Sequence, residues 1–210
     1  MSYGHTTGQG GRSARARRLP PEQRRAQLLD CALRVFARRG LGAARHAEVA
    51  AEAGVSVPTV FVYFENRPAL VDAVLDEVSR FYLELGREVH QVAGPAPVTI
   101  LAHARAFAAS VDSHPDCARV WLAWSHAVRD DIWPRYLAFE QEVVELLAHT
   151  LQRGQSEGSI SPAITAEDGA HISIGAAHMI ARMKFSARPA AEVERFIRAV
   201  VDSLAGGLAA

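Results

Sequence analysis

The chain has 210 residues, 49% hydrophobic and 22% charged, a composition that suits a globular protein and excludes a fibrous or wholly disordered one. No stretch approaches the roughly 18 uncharged apolar residues of a membrane helix, and the N-terminal stretch lacks the apolar core of an export leader, so a cytoplasmic location is expected. Net charge is zero, yet residues 1–67 hold eleven arginines against five acids and residues 68–210 hold twelve bases against eighteen acids. A surplus of six positive charges at one end therefore offsets six negative ones in the remainder, and the basic end suits a polyanion.

Residues 1–19 are Gly-, Ser- and Arg-rich without apolar periodicity and read as a flexible basic arm. Pro20-Pro21-Glu22 starts a helix, with proline tolerated in the first turn and an acid near the positive dipole end. Leu28, Leu29, Ala32, Val35 and Phe36 give its apolar stripe, and Arg38-Arg39-Gly40 stops it. A second helix is expected over 46–53, closed by Gly54. The next stretch, VSVPTVFVYF, has strand propensity. Ser56 can nevertheless cap a short helix with Pro58 in its first turn. Val57, Val60, Phe61 and Phe64 would then anchor one face, and Ser56, Pro58, Thr59, Val62 and Tyr63 would lie elsewhere. Two short helices joined through Gly54-Val55-Ser56 form a helix-turn-helix.

The remainder reads as helical throughout. An amphipathic helix is expected from Pro68 to about Glu88, and a Gly-Pro break over 94–97 precedes another through about Ser110. Further helices are expected near 116–128, 132–153, 166–186 and 190–206. The fold class is all-α: a helix-turn-helix domain over 20–67, then a larger helical domain over 68–210. Cys31 and Cys117, each in an apolar helical context, read as buried thiols. His171 and His178 share a helix face but lie seven residues apart, about 10.5 Å of rise, too far to share one zinc, so no metal and no cofactor are expected. Asp168, His171 and His178 offer no nucleophile with a base and oxyanion site, so an enzyme is not expected.

The segment VFARRGLGAARHAEVAAEAGVSVPTVFVYFENRPALVDAVL, residues 35–75, resembles the N-terminal half of the TetR family of bacterial repressors. RVWLAWSHAVRDDIWP, residues 119–134, resembles a signature of that family's quorum-sensing master regulators in vibrios. The resemblance implies a homodimer joined through its C-terminal helices, which binds a pseudo-palindromic double-stranded DNA operator and encloses a cavity for a small-molecule effector. Thr59, Tyr63 and Arg67 are the expected phosphate contacts, with Ser56 as cap and contact. Val62 and Pro58 stand where that group carries asparagine and alanine, and His46 and Val57 complete the expected interface. Arg18 matches the second arginine of the group's minor-groove arm. The first falls on Ala16, leaving Arg15 or Arg17 to substitute, since a narrow groove attracts arginine by its potential. Tyr82, Leu85, Trp121, Tyr136, Glu140, Val144 and Ala177 match positions that line the ligand pocket, with Glu140 in place of a neutral amide. The rival expectation is an architectural DNA-binding protein without an effector, which a body lacking any cavity would favour.

Overall fold

The computed structural model describes residues 19–92 and 94–206. Nine helices and no strand occur among the described residues: α1 Pro21–Arg39, α2 His46–Ala53, α3 Val57–Tyr63, α4 Arg67–His90, α5 Ala96–Ser113, α6 Pro115–Trp124, α7 Trp133–Ser156, α8 Ala166–Phe185 and α9 Ala190–Gly206. The all-α expectation holds. Gly40 and Gly54 end α1 and α2 at φ +82° and +65°, backbone that L side chains adopt only with strain. A third stop is less regular. α6 ends at Trp124, four residues before the expected 128. The Ser125 hydroxyl and His126 Nδ1 both donate to the Leu122 carbonyl, at 2.9 and 2.7 Å, and so compete with helix continuation.

α3 is helical despite its β-branched run because tertiary packing overrides a weak local preference. Val60 and Phe64 are its buried anchors. Val57 and Phe61, expected beside them, remain 37% and 45% exposed. A helix of seven residues buries only the few side chains that meet the floor formed by α1 and α2. Ser56 also departs from expectation. Its hydroxyl caps no backbone N–H and instead shares a 2.8 Å hydrogen bond with the Thr59 hydroxyl. α4 has the better cap, where Asn66 Oδ1 accepts from the Ala69 N–H at 2.9 Å.

One apolar cluster runs unbroken from Leu28 of α1 through α4 and α6 to Ile197 of α9. A second, around Leu147, Leu151 and Leu204, fills the far end. α5 is the central strut, packed on α4, α6, α7, α8 and α9. Its start meets α7 closely at Gly154, where a Cβ would lie 2.5 Å from both the Ala96 Cβ and the Ile160 Cγ1. Cys31 and Cys117 are free and buried, small hydrophobes as expected; burial pushes the Cys117 thiol up to about 12. No helix among the described residues is long and apolar enough to cross a membrane.

Candidate functional site

Two sites emerge, one on the surface of α3 and one inside the body. On the surface, Leu19, Arg24, Val55, Ser56, Pro58, Thr59, Val62 and Tyr63 line one concave face. Val62 stands at its crest, 80% exposed. A valine this exposed adds little to packing and is free to meet a partner. Arg24 is the member that sequence reasoning missed. It sits in the first turn of α1, and its proximity to Thr59 and Tyr63 depends on how α1 crosses α3.

Two expected interface residues also make contacts within the protein. His46 is buried, donates from Nε2 to the Phe64 carbonyl at 2.8 Å, and stacks on Phe61 at 4.1 Å. It clamps the start of α2 to the end of α3. Arg67 donates to the carbonyls of Leu41, Gly42 and Ala44 in the α1–α2 turn, at 3.0 Å for Gly42 and 3.3 Å for Ala44. That fastens α4 to the helix-turn-helix. Val57 is not among the residues that line the concave face. Arg15, Arg17 and Arg18 fall outside the described residues.

The basic surplus is partly neutralised within this unit. Arg34 and Arg38 reach Glu52 at 3.0 and 2.6 Å, and Arg39 reaches Glu48 at 2.8 Å. Hydrogen bonds from Arg38 and Arg34 hold the Glu52 carboxyl below its ordinary range. These exposed pairs add little stability, but they direct α1's charge toward α2.

Inside the body, a cavity of about 80 Å³ lies between α4, α5, α6, α7, α8 and α9. Tyr82, Trp121, Tyr136, Glu140 and Ala177 line it as expected. Leu85 and Val144 do not. Val144 packs into the second apolar cluster with Leu147 and Leu151, one helical turn beyond Glu140. Leu85 is half-buried on α4 outside the lining. Tyr82, Phe107 and Trp121 form an aromatic wall with centroids 5.3–5.9 Å apart. The Tyr136 hydroxyl donates to Glu140 Oε1 at 3.0 Å. Burial, then the adjacent Glu140 carboxylate, push the Tyr136 phenol upward. The Tyr82 hydroxyl is buried with no hydrogen-bond partner among the described residues. Such an orphan is uncommon in a folded protein.

Sequence reading missed His103, which also lines the cavity. Its partner His90 is on another helix, so no local spacing signals the pair. Burial pushes both imidazoles down from 6.5 to about 4, with Arg153 and His149 adding to the effect at His90, and His90 adding to it at His103. In the unfolded chain each titrates near 6.5, so between about 6.5 and 4 the unfolded state binds more protons. Stability is full above 6.5 and falls as pH drops through that window. Thermal unfolding followed from pH 7 to 4 should show Tm decreasing steadily below about 6.5, with a shallower decline in His90→Phe. A flat profile down to the carboxylate range would contradict the burial of this pair.

Asp168, His171 and His178 are put to separate uses. Asp168 accepts from the Thr165 hydroxyl at 2.7 Å in the α8 cap, and His171 is exposed. His178 donates to the Ile174 carbonyl at 2.9 Å beside Trp121, 4.3 Å between centroids.

A short helix-turn-helix on a larger helical body with an aromatic-lined cavity defines a class of DNA-binding regulators. Residues 28–74 match the family model for bacterial regulatory proteins of the tetR family. The HTH-type transcriptional regulator LuxR of Vibrio harveyi is 32% identical over 192 residues, which cover 89% of this chain and 91% of that protein. The chain belongs to the TetR family and is a helix-turn-helix transcriptional regulator. FadR from Bacillus subtilis, solved with stearoyl-CoA, shares the fold at TM-score 0.74 and 16% identity, covering 88% of this chain and 99% of that one. AibR, solved with isovaleryl coenzyme A and operator DNA, does so at 0.73 and 17%, covering 87% and 98%.

Proposed function

We propose that this regulator binds a pseudo-palindromic operator as a homodimer and is controlled by a compact ligand in the α4–α9 cavity. The observation that carries the reading is Val62, 80% exposed at the crest of α3. In a major groove a valine meets the thymine methyl, while Thr59, Ser56 and Tyr63 give hydroxyls to phosphate, and Pro58, Val57 and Arg24 flank them. Residues 20–67 act as the DNA-binding unit and 68–210 as the sensing and pairing unit. The arm of residues 1–19 places Arg18, with Arg15 or Arg17, in the minor groove. Ile172 and Met179, two turns apart on one face of α8, are exposed, an apolar surface suited to a second copy. Two-fold symmetry then sets half-sites about one turn of DNA apart.

Coupling between the sites runs through named contacts. Tyr136 and Glu140 of α7 line the cavity. The preceding Arg135 grips Asp72 at 3.1 Å and also Asp76, both on α4. At its start α4 holds the α1–α2 turn through Arg67. A ligand that shifts α7 therefore pulls on the helix-turn-helix, to the extent that it binds one arrangement better than the other. The existence of an aromatic-lined cavity also favours a sensor over a purely architectural DNA-binding protein.

The test is operator affinity and thermal stability of wild type and Ala177→Phe, measured across a panel of small molecules. Ala177→Phe fills the cavity and should change operator affinity about tenfold, which corresponds to roughly 1.4 kcal/mol of differential stabilisation. It should also abolish stabilisation by any compound that binds the wild type. If no compound stabilises the wild type and Ala177→Phe merely unfolds it, the aromatics are core and the sensor reading fails.

A further inference from the structure

His103 of α5 lines the cavity, and its Nδ1 lies 2.8 Å from Nε2 of His90 at the end of α4. His90 Nδ1 lies 2.7 Å from the Thr150 hydroxyl on α7. Three helices are thus joined by a chain of two hydrogen bonds that ends at the cavity wall. His103 Nε2, beside Gly86 of α4, has no hydrogen-bond partner among the described residues, and the ring that carries it lines the cavity.

A neutral imidazole carries one N–H and one bare nitrogen, which gives the chain two senses. In the first, Thr150 donates to His90 Nδ1 and His90 Nε2–H donates to His103 Nδ1. His103 then holds its proton on Nε2 and offers the cavity a donor. In the second, His103 Nδ1–H donates to His90 Nε2, and His90 Nδ1–H donates to the Thr150 oxygen. His103 Nε2 is then bare and offers the cavity an acceptor. Burial keeps both rings neutral near pH 7, so both senses are available without a net charge in the apolar wall.

We infer that His103 is the polar group that reads the ligand and that His90 and Thr150 set its hydrogen-bonding sense, so that the cavity takes a compact, uncharged ring bearing one donor or one acceptor. This rests on the reading of the cavity as a ligand site. The lining supports the class. Tyr82, Phe107 and Trp121 offer flat aromatic faces, and Glu140 opposes an anion. A volume of about 80 Å³ is several times the roughly 10–15 Å³ that one water requires. Because donor and acceptor are exchanged by moving protons along the chain, ligands of opposite polarity can share one site without a side-chain rearrangement.

The test uses three rings of similar size: pyrrole, a donor only; pyridine, an acceptor only; and benzene, neither. Binding is followed by thermal shift and by titration of the full chain at neutral pH, with ¹⁵N spectra of the histidine rings. The expected result is that pyrrole and pyridine each bind the wild type about tenfold tighter than benzene. His90 and His103 should both change tautomer between the pyrrole-bound and pyridine-bound forms. Thr150→Val removes the oxygen that accepts from His90 Nδ1–H and leaves the first sense favoured, so it should keep pyridine and lose the preference for pyrrole. His103→Phe should bind all three rings alike. Equal binding of the three rings to the wild type, or a His90 tautomer that is the same with pyrrole and pyridine, overturns the relay while leaving the ligand site standing. Failure of all three rings to bind overturns the ligand site and the relay with it.

Discussion

Val62→Glu is expected to lower operator affinity by about a hundredfold or more while leaving thermal stability nearly unchanged. At 80% exposure residue 62 contributes almost nothing to packing, and exposed substitutions of this kind stay within about 0.5 kcal/mol. In the groove the same change sets a carboxylate against base edges and flanking phosphates, where like charges cost several kcal/mol. A hundredfold loss needs only about 2.7 kcal/mol of that. Val62→Asn is the informative companion. Asparagine pairs with the adenine edge, whereas valine meets the thymine methyl, and each such choice discriminates by about 1–3 kcal/mol. Ranking a randomised operator pool with wild type and Val62→Asn should therefore give different orders. Glutamate at 62 that binds DNA as well as valine does would take α3 out of the major groove and refute the interface.

The largest stability effect is expected at Trp124. Its ring is 1% exposed, stacks on Phe139 at 5.6 Å and meets Tyr136 edge-on at 5.6 Å. Its Nε1–H donates to the Ile132 carbonyl at 3.0 Å, which ties down the turn between α6 and α7. Trp124→Ala removes the ring and leaves a cavity, costing about 3–5 kcal/mol, or roughly 6–20 °C in Tm for a chain of this size. Trp124→Phe keeps much of the packing and removes one of the two hydrogen bonds to the Ile132 carbonyl, which still accepts from the Tyr136 N–H at 3.3 Å, at a cost of about 0.5–1.5 kcal/mol. The turn it anchors leads directly into Arg135 and Tyr136, so Trp124→Phe should weaken the response of operator affinity to a ligand more than operator affinity itself. Urea unfolding with parallel operator titrations measures both. A Trp124→Ala loss under about 1 kcal/mol would mean that the α6–α7 packing described here is not what holds the body together.

Much of the helix-turn-helix was legible because its limits are local. Pro21, Gly40, Gly54 and Pro58 act through their own backbone preferences, whatever surrounds them. The concave DNA face was readable in part from the same spacing, since Thr59, Val62 and Tyr63 fall away from the Val60–Phe64 side of a two-turn helix. The internal contacts of His46 and Arg67 were not legible for one reason: a polar side chain beside a recognition helix suits a phosphate or a backbone carbonyl equally well, and only the fold supplies the carbonyls. The cavity shows the same division. Five of its matched positions converge, yet Val144 lies one turn too far along α7, and spacing alone does not mark where a wall ends.

By itself, the sequence determined the helical class, the charge division between the two ends, and the place of the helix-turn-helix, because periodicity, caps and charge are properties of neighbouring residues. The tertiary structure alone decided that Arg24 joins Thr59 and Tyr63, that Arg135 links α7 to α4, and that His90, His103 and Thr150 form one chain. Each of these depends on the angle and depth at which helices distant in sequence cross, and that is fixed by how the whole core closes rather than by any segment of it.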